Sequence, residues 1–372
     1  MRAGTPSLRQ AVAATALFLA GCAAPSDSPT VGGSPSPAAP SASPRPSVVA
    51  SAPAQPTPAP SAPAALAWRQ LAVTGPAARE DHTWTLHGDG AVAYLFGGRD
   101  GATVIGDLWA YDLAADTWAP IEAEGAPPAR FGHEAVWVDD VGLVVFAGQA
   151  GATFFDDLWA FDPEAATWRQ LPSGGDVPVA RYGTCAAIGP DDRLWISHGF
   201  TSDGTRFADT KAYDFATGTW TDETPAGDLP VSRCLHGCWW TGDGNLALFG
   251  GQTTGVTALD DRWLLVDGAW ERVSGTVPEA RNLYARARLD GATLILGGQA
   301  LDGGRLDNGW LLHDDGADAT PLIVDGVVPP GRSGAELILD ASRNRILLFG
   351  GLGAEGVLAD TWELVGDPMQ DA

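Results

Sequence analysis

The residues best suited to chemistry in this sequence recur at fixed distances from one another. His82, His133 and His236 each stand three residues after an arginine that closes a P-x-x-R motif. Three imidazoles at equivalent positions could ligate a transition metal. They belong to three different sequence repeats, however, and packing explains a histidine at a repeat position equally well. We therefore predict a structural role for them, with no metal and no cofactor.

The motif arginines could mark an anion site, because the motif occurs six times: Arg79, Arg130, Arg181, Arg233, Arg281 and Arg332. A position that is filled in every repeat is better explained by packing and hydrogen bonding between neighbouring units, which is the role we predict. Aspartates also recur, at Asp107, Asp157, Asp209, Asp261 and Asp360. Acid–base catalysis by paired carboxylates needs the two groups within about 10 Å. One aspartate per repeat provides no such pair, so we expect turn and strand-end residues and assign no catalytic residue.

Three cysteines follow Cys22, namely Cys185, Cys234 and Cys238. In an exported protein this odd number permits one disulfide and one free thiol. Cys234 and Cys238 share the cluster RCLHGC, but residues four apart in an extended chain are separated by about 13 Å. That distance is too long for a direct bridge or a shared metal. Cys185 could bridge either of the others if neighbouring strands approach closely, and the sequence leaves that choice open.

These residues lie on a repeat with a period near fifty residues. An apolar run that ends in a glycine pair, or in a remnant of one, occurs at Tyr94–Gly98, Val144–Gly148, Trp195–Gly199, Leu246–Gly251, Leu294–Gly298 and Leu347–Gly351. A D-L-W-A type motif follows about ten residues later, and then a tryptophan at Trp118, Trp168, Trp220 and Trp270. Each unit predicts four short strands joined by polar turns. The third unit departs most, with His198 in place of the first glycine and Lys211 in place of the strand tryptophan.

The glycine pairs, the aromatic motifs and the period resemble the kelch repeat of the galactose oxidase/kelch superfamily. The resemblance covers essentially all of residues 66–366. It implies that residues 66–372 form an all-β, six-bladed β-propeller with four strands per blade. Six glycine motifs require six outer strands, yet the chain ends soon after the sixth D-x-W motif, before its fourth strand. The segment around Trp68 matches the missing strand. We predict that this N-terminal strand completes the last blade and closes the ring.

A site must be found on this fold before a function can be assigned, because fold alone does not define function. The turn before strand one and the turn after strand two of each blade lie on one face of the propeller. The candidate ligand-binding residues on this loop face are Glu80, Asp81, Arg99, Phe131, Gln149, Tyr182, Gln252, Asn282 and Gln299. They suit a polar ligand such as a sugar or a peptide. The alternative is that they only cap exposed loops.

The first 65 residues do not have the pattern of a folded domain. Arg2 and Arg9 precede a short apolar run, and the following Leu19-Ala20-Gly21-Cys22 resembles the lipobox of bacterial lipoproteins. The resemblance implies that residues 1–22 are a lipoprotein signal peptide, that Cys22 is lipidated, and that the exported protein is anchored to the outer face of a bacterial membrane. Residues 23–65 are rich in Pro, Ala and Ser and predict a disordered linker.

The charge of the chain narrows the choice of partners. It carries 46 acidic and 22 basic residues, with a formal net charge of −24, and all but one of the acidic residues follow residue 65. Nucleic acid and anionic lipid would repel such a domain, so we predict no nucleic-acid partner and membrane attachment through the Cys22 lipid only. The oligomeric state is left open.

Two functions fit these observations. The first is a membrane-tethered binding module for a protein, peptide or glycan. The second is a carbohydrate-active enzyme, because some kelch propellers are sialic-acid mutarotases or galactose oxidases. A mutarotase-like site could draw on Glu80, Asp81, His82 and Arg99, whereas a galactose-oxidase-like copper site lacks tyrosines placed beside histidines. We favour the binding module and rank the mutarotase-like enzyme second.

Overall fold

Residues 66–369 are described by a computed structural model, and they form six antiparallel four-stranded sheets arranged as the blades of a propeller. Neighbouring inner strands contact one another around a central channel. Within this range no helix is long and apolar enough to cross a membrane. The predicted signal peptide, Cys22 and the predicted linker lie outside the described residues. The predicted all-β, six-bladed propeller is thus confirmed.

Strands one to four of each blade run from the channel outward. Blade one contains Thr83–Leu86, Val92–Phe96, Leu108–Asp112 and Thr117–Ile121. Blade two contains Glu134–Val138, Gly142–Phe146, Leu158–Asp162 and Thr167–Gln170. Blade three contains Cys185–Ile188, Leu194–Ser197, Thr210–Asp214 and Thr219–Asp222, with Gly174–Gly175 added in parallel at its outer edge.

Blade four contains Gly237–Trp240, Leu246–Phe249, Arg262–Val266 and Ala269–Arg272. Blade five contains Ala285–Arg288, Ala292–Leu296, Gly309–His313 and Thr320–Pro321. Blade six contains Glu336–Asp340, Arg345–Phe349, Thr361–Val365 and, as its outer strand, Ala67–Leu71. Short strands in the loops pair Arg99–Asp100 with Thr103–Val104, Gln149–Ala150 with Thr153–Phe154, and Arg281–Asn282 with Gln299–Ala300.

The N-terminal strand closes the ring, as the sequence predicted. Trp68 pairs with Leu364 across the two outer strands of blade six. A charge network centred on the buried Glu363 and Arg345 reinforces this seam. Glu363 pairs with Arg69 of the N-terminal strand and with Arg345, and Arg345 reaches Asp116 of blade one at 2.7 Å. Blade six is therefore joined both to the start of the domain and to its neighbour, and no strand edge stays open between first and last blades.

The glycine motifs exist because neighbouring backbones approach closely there. The N–H of Gly98 donates to the carbonyl of Arg130 in the next blade at 2.9 Å, and the equivalent bond recurs around the ring to Gly351 and Arg79. Gly98 has a φ of 98°, and a Cβ atom there would lie 2.8 Å from a carbonyl oxygen. His198 keeps the left-handed conformation of the glycine that it replaces, with a φ of 57°. Blade three thus retains the backbone of the other blades.

The motif arginines act at two levels. Their main chains link neighbouring blades through the bonds just described, as predicted, but their buried side chains pair within their own unit. Arg130 donates to both carboxylate oxygens of Asp157, at 2.7 and 3.1 Å. In blade five, Asn308 replaces the aspartate, and Glu279 supplies the negative charge to Arg281 at 2.7 Å. The repeated aspartates are therefore ion-pair partners, beyond the strand-end role that we expected from spacing.

The three repeat histidines pack between blades. The His133 ring lies 5.3 Å from the Phe96 ring of blade one, and the His82 ring lies 5.5 Å from Phe349 of blade six. Burial lowers the pKa of His82 to about 3, which keeps it neutral. In the described residues no group of three His, Cys, Asp or Glu is placed to hold a metal ion. Their geometry is that of interblade packing.

A disulfide joins the inner strands of blades three and four. It connects Cys185 to Cys238, whose Cα atoms are 5.7 Å apart, and leaves Cys234 as a buried free thiol. The sequence could not choose between Cys234 and Cys238. The choice follows from position: Cys185 and Cys238 lie on adjacent inner strands, whereas Cys234 lies in the turn before its strand.

Candidate functional site

The loops on one face of the propeller surround the entrance to the channel, which we call the upper mouth. It is formed by the residues after each motif arginine and after each glycine pair. Each blade joins the two by a β-bridge: Glu80 with Arg99, Phe131 with Gln149, Tyr182 with Phe200, Cys234 with Gln252, Asn282 with Gln299, and Ser333 with Leu352. The two sets of loops that the sequence placed on one face thus meet in pairs.

Of the two sets of residues in these bridges, only the set after the glycine pairs is accessible to solvent. The residues directly after the arginines are buried, including Glu80, Phe131, Tyr182 and Asn282. Their side chains therefore lie beneath the surface of this face, where each pairs by a β-bridge with the loop that follows the glycine pair. The residues after the glycine pairs, such as Arg99, are half-buried.

A closed ring of six main-chain hydrogen bonds lies at the centre of the mouth. The second residue after each arginine donates its N–H to the carbonyl of its counterpart in the preceding blade, at 2.7 to 3.2 Å, through Asp81, Gly132, Gly183, Leu235, Leu283 and Gly334. All six have a positive φ. A Cβ atom on Gly132 would lie 1.8 Å from the Tyr182 ring, so glycine is required there. The ring narrows the channel entrance and holds the surrounding side chains in place.

Aromatic and basic side chains form an arc around this ring. The Arg99 guanidinium lies 4.5 Å from the centre of the Phe131 ring. Phe131 contacts Tyr182 edge to face, Tyr182 contacts Phe200, and Phe200 contacts Phe154, with ring centroids 5.2 to 5.6 Å apart. Such pairs contribute about 0.5–1.5 kcal/mol each beyond their buried area. The arc spans blades one to three, and of its rings only Phe154 and Phe200 are partly exposed.

Glu80, Asp81 and Arg99 form the charged centre of blade one. Arg99 reaches Glu80 at 3.1 Å and Asp81 at 2.9 Å. Burial and the neighbouring Asp81 carboxylate raise the pKa of Glu80 to about 7. Burial also raises the pKa of Asp81, although Arg99 opposes that shift. The cluster can therefore hold or release a proton near neutral pH.

Two further arginines at the mouth were not predicted. Arg206 lies beside Phe200, with its guanidinium 5.7 Å from the ring, and donates to Thr254 at 3.1 Å. Arg305 lies close enough to Glu80 to lower the pKa of that carboxyl against the effect of burial. The Nε atoms of both arginines are buried and have no acceptor among the described residues. The only sequence signal was their shared place in the loop after the glycine pair.

The predicted amides are divided between two roles. Gln149 donates to the carbonyl of Gly151 in its own loop at 3.1 Å, which is a loop-capping contact. Asn282 donates to the carbonyl of Thr257 in blade four and is fully buried. Gln252 lies near the Cys234 thiol at 3.7 Å, and Gln299 is half-buried beside its hairpin. Gln149 and Asn282 thus each donate a hydrogen bond to a loop carbonyl.

Inside the ring lies a small cavity of about 60 Å³, lined by Glu134, Arg286 and Glu336. Arg286 of blade five pairs with Glu134 of blade two at 3.2 Å across the channel. Burial raises the pKa of Glu336 to about 8, although Arg286 opposes the shift. At about 10–15 Å³ per water molecule, the cavity has room for only a few.

This architecture, with paired glycines, arginine–aspartate clamps and loops gathered at one channel mouth, defines a kelch-type propeller. Residues 62–251 match the kelch-repeats domain family described as KLHDC2/KLHL20/DRC7, and the chain belongs to that family. It is similar to a tRNA wybutosine-synthesizing protein 4 from Emericella nidulans, with 31% identity over 178 residues, and to one from Aspergillus fumigatus, with 29% over 167. These alignments cover 43% and 42% of this chain but only 16% of either relative.

Proposed function

We propose that this protein is a binding module, tethered to the outer face of a bacterial membrane through Cys22, whose upper mouth holds a protein, peptide or glycan ligand. The proposal rests on the kelch propeller, on the lipobox-like Leu19–Cys22 segment and on the Pro/Ala/Ser-rich segment that follows it. A buried disulfide between Cys185 and Cys238 supports export, because disulfides persist in oxidising compartments.

The observation that carries the binding role is the pair of arginines at the mouth. Arg206 and Arg305 each keep a buried Nε–H without an acceptor, in a chain whose net charge is −24. A buried donor left unpaired costs about 1–3 kcal/mol, so a ligand acceptor that reaches it recovers that free energy. Beside them, Phe200 and Phe154 offer rings for apolar contact. A ligand that joins an acidic or acceptor-rich group to an apolar or ring surface fits this arrangement.

The test is a binding screen of the full-length protein against peptide and glycan arrays. Arg206→Gln and Arg305→Gln should each weaken a captured ligand at least tenfold, because each removes a charged donor. Arg272→Gln is the matched control, since Arg272 is exposed on the outer strand of blade four, away from the mouth. Binding that survives both mouth substitutions unchanged would move the ligand site elsewhere.

A carbohydrate-active, mutarotase-like enzyme is the second candidate. It is favoured by one observation: Glu80 has a pKa of about 7 beside Arg99, which suits a general acid–base at neutral pH. Anomer exchange of sialic acid, followed by NMR in the wild type and in Glu80→Gln, would test it. For a galactose-oxidase-like copper site, the described residues offer no group of three His, Cys, Asp or Glu that fits a metal ion.

A further inference from the structure

A second cavity lies farther down the channel, past Arg286 and toward the face opposite the upper mouth. This lower cavity has a volume of about 310 Å³. It is lined by Ile188 of blade three, Cys238 and Trp240 of blade four, and Arg286, Arg288 and Thr293 of blade five. The volume is at the lower end of the range for small-molecule pockets, about 300–1,000 Å³. It can accommodate a single ring with a short substituent.

The polar side chains that line the lower cavity offer donors rather than acceptors. Arg286 and Arg288 contribute guanidinium groups, and the indole N–H of Trp240 is buried without an acceptor among residues 66–369. The hydroxyl of Thr293 already accepts a hydrogen bond from Arg288 at 2.9 Å. No carboxylate lines this cavity, although acidic residues outnumber basic ones by about two to one in the chain. A cavity that is lined by hydrogen-bond donors and by no carboxylate favours a negatively charged ligand.

The carboxylates that neutralise the two arginines approach from outside the cavity. Glu134 contacts Arg286 from the upper cavity at 3.2 Å. Asp314 holds both terminal nitrogens of Arg288, at 2.8 and 2.9 Å, and so fixes its direction. Arg286 therefore retains donors that Glu134 does not use. A ligand carboxylate would compete with Glu134 for this guanidinium.

The walls of the lower cavity are rigid and partly apolar. The Trp240 ring packs edge to face on Trp195, with centroids 5.3 Å apart. The Cys185–Cys238 disulfide ties together the inner strands that carry Ile188 and Trp240. Ile188 and the Trp240 ring provide a flat apolar surface. A preformed site of this kind binds without the cost of ordering its own side chains.

We propose that the lower cavity binds an aromatic monocarboxylate. Its carboxylate lies against Arg286 and Arg288, and its ring lies against Trp240 and Ile188. This site is separate from the upper mouth, and it does not depend on the proposed function.

The experiment is calorimetric titration of the full-length protein in detergent with benzoate, with benzyl alcohol as the neutral analogue. We expect saturable one-to-one binding of benzoate and at least tenfold weaker binding of the alcohol. Arg288→Gln should weaken benzoate at least tenfold, because a charged donor is lost. Glu134→Gln should tighten it, because Arg286 loses its competing carboxylate. Arg272→Gln should leave it unchanged.

Several results would overturn the proposal. The proposal is wrong if benzoate does not bind saturably, if benzoate and benzyl alcohol bind with equal affinity, or if Arg288→Gln leaves benzoate binding unchanged. Tighter binding of glucuronate than of benzoate would show that the site prefers a sugar acid to an aromatic one. Loss of benzoate binding in Arg206→Gln, with Arg288→Gln unaffected, would place the anion at the upper mouth instead. Apart from that last result, none of these outcomes bears on whether the upper mouth holds its own ligand.

Discussion

Reduction of the Cys185–Cys238 bond should lower the free energy of unfolding substantially. The bond closes a loop with a sequence separation of 53, which holds the outer three strands of blade three. Both cysteines are buried, and reduction removes no packed side chain, although the two sulfurs must move apart to non-bonded contact. The main change is therefore in the unfolded chain. The crosslink restricts that chain, and its loss releases conformational entropy on unfolding.

The expected magnitude follows from the loop length. For a closed loop of this size, the chain-entropy relation gives about 14 cal/mol/K, or about 4 kcal/mol at 25 °C. Domains of this kind are stabilised by about 5–15 kcal/mol in total, so the loss is a large fraction of the whole. Blades three and four should then be the first to open, because the bond joins their inner strands.

Denaturant titration of the protein with and without reductant measures the difference. The Cys185→Ala/Cys238→Ala variant should show no response to reductant, whereas Cys234→Ala should keep the full response, because Cys234 is a free thiol. A response below about 1 kcal/mol in the wild type would refute the reasoning. So would an equal response in the double variant. The first result would mean that the reduced chain is restrained as strongly as the crosslinked one, and the second would mean that the response comes from a group other than this bond.

Three further predictions address the mouth, the channel and the seam. Gly132→Ala should displace the Tyr182 ring and destabilise the domain by about 2 kcal/mol or more, measured by thermal unfolding, because a Cβ atom would lie 1.8 Å from that ring and φ is positive. Glu336 has a folded pKa raised to about 8, so its stabilising contribution is complete below its unfolded pKa near 4.5 and is lost as pH rises through 8. Glu336→Gln should therefore flatten the fall in stability between pH 5 and 8, and an unchanged pH profile would contradict this. Trp68→Ala should cost about 3–5 kcal/mol, because Trp68 is buried in the strand that closes the ring, and hydrogen exchange should increase first in blade six.

The ring and its closure were predictable because they depend on repetition. The six glycine motifs predict six blades, but the sequence after them supplies only five outer strands. The segment around Trp68 supplies the outer strand of the sixth blade. The main-chain role of Arg130 was predictable for the same reason. Its ion pair with Asp157 was not, because spacing alone does not show that strand three begins beside the arginine of the same unit. The repeat predicts which positions matter, and the fold determines what they contact.

The candidate site was harder to predict, because it lies where the repeat varies. Glu80 follows its arginine just as Phe131 and Tyr182 follow theirs, and the sequence placed all three on the surface. Their burial is determined by the neighbouring loops, which local sequence does not describe. The residue that follows each of them forms the ring of main-chain hydrogen bonds, but its type does not reveal this. Leu235 and Asp81 adopt the positive φ that glycine has in other blades.

The same variation indicates where specificity arises. The arginines and the second glycine of each motif recur in every blade, have their hydrogen bonds satisfied within the propeller and have little left to offer a ligand. Arg286 has no counterpart in the other blades, and Arg206 and Arg305 share one loop position that the other four blades fill with other residues. Each of the three retains donors beyond the ion pairs and hydrogen bonds that the fold requires. A propeller that repeats one scaffold six times can bind one ligand selectively only through groups that most blades lack. In this protein they lie along the channel axis, two at the upper mouth and one between the two cavities.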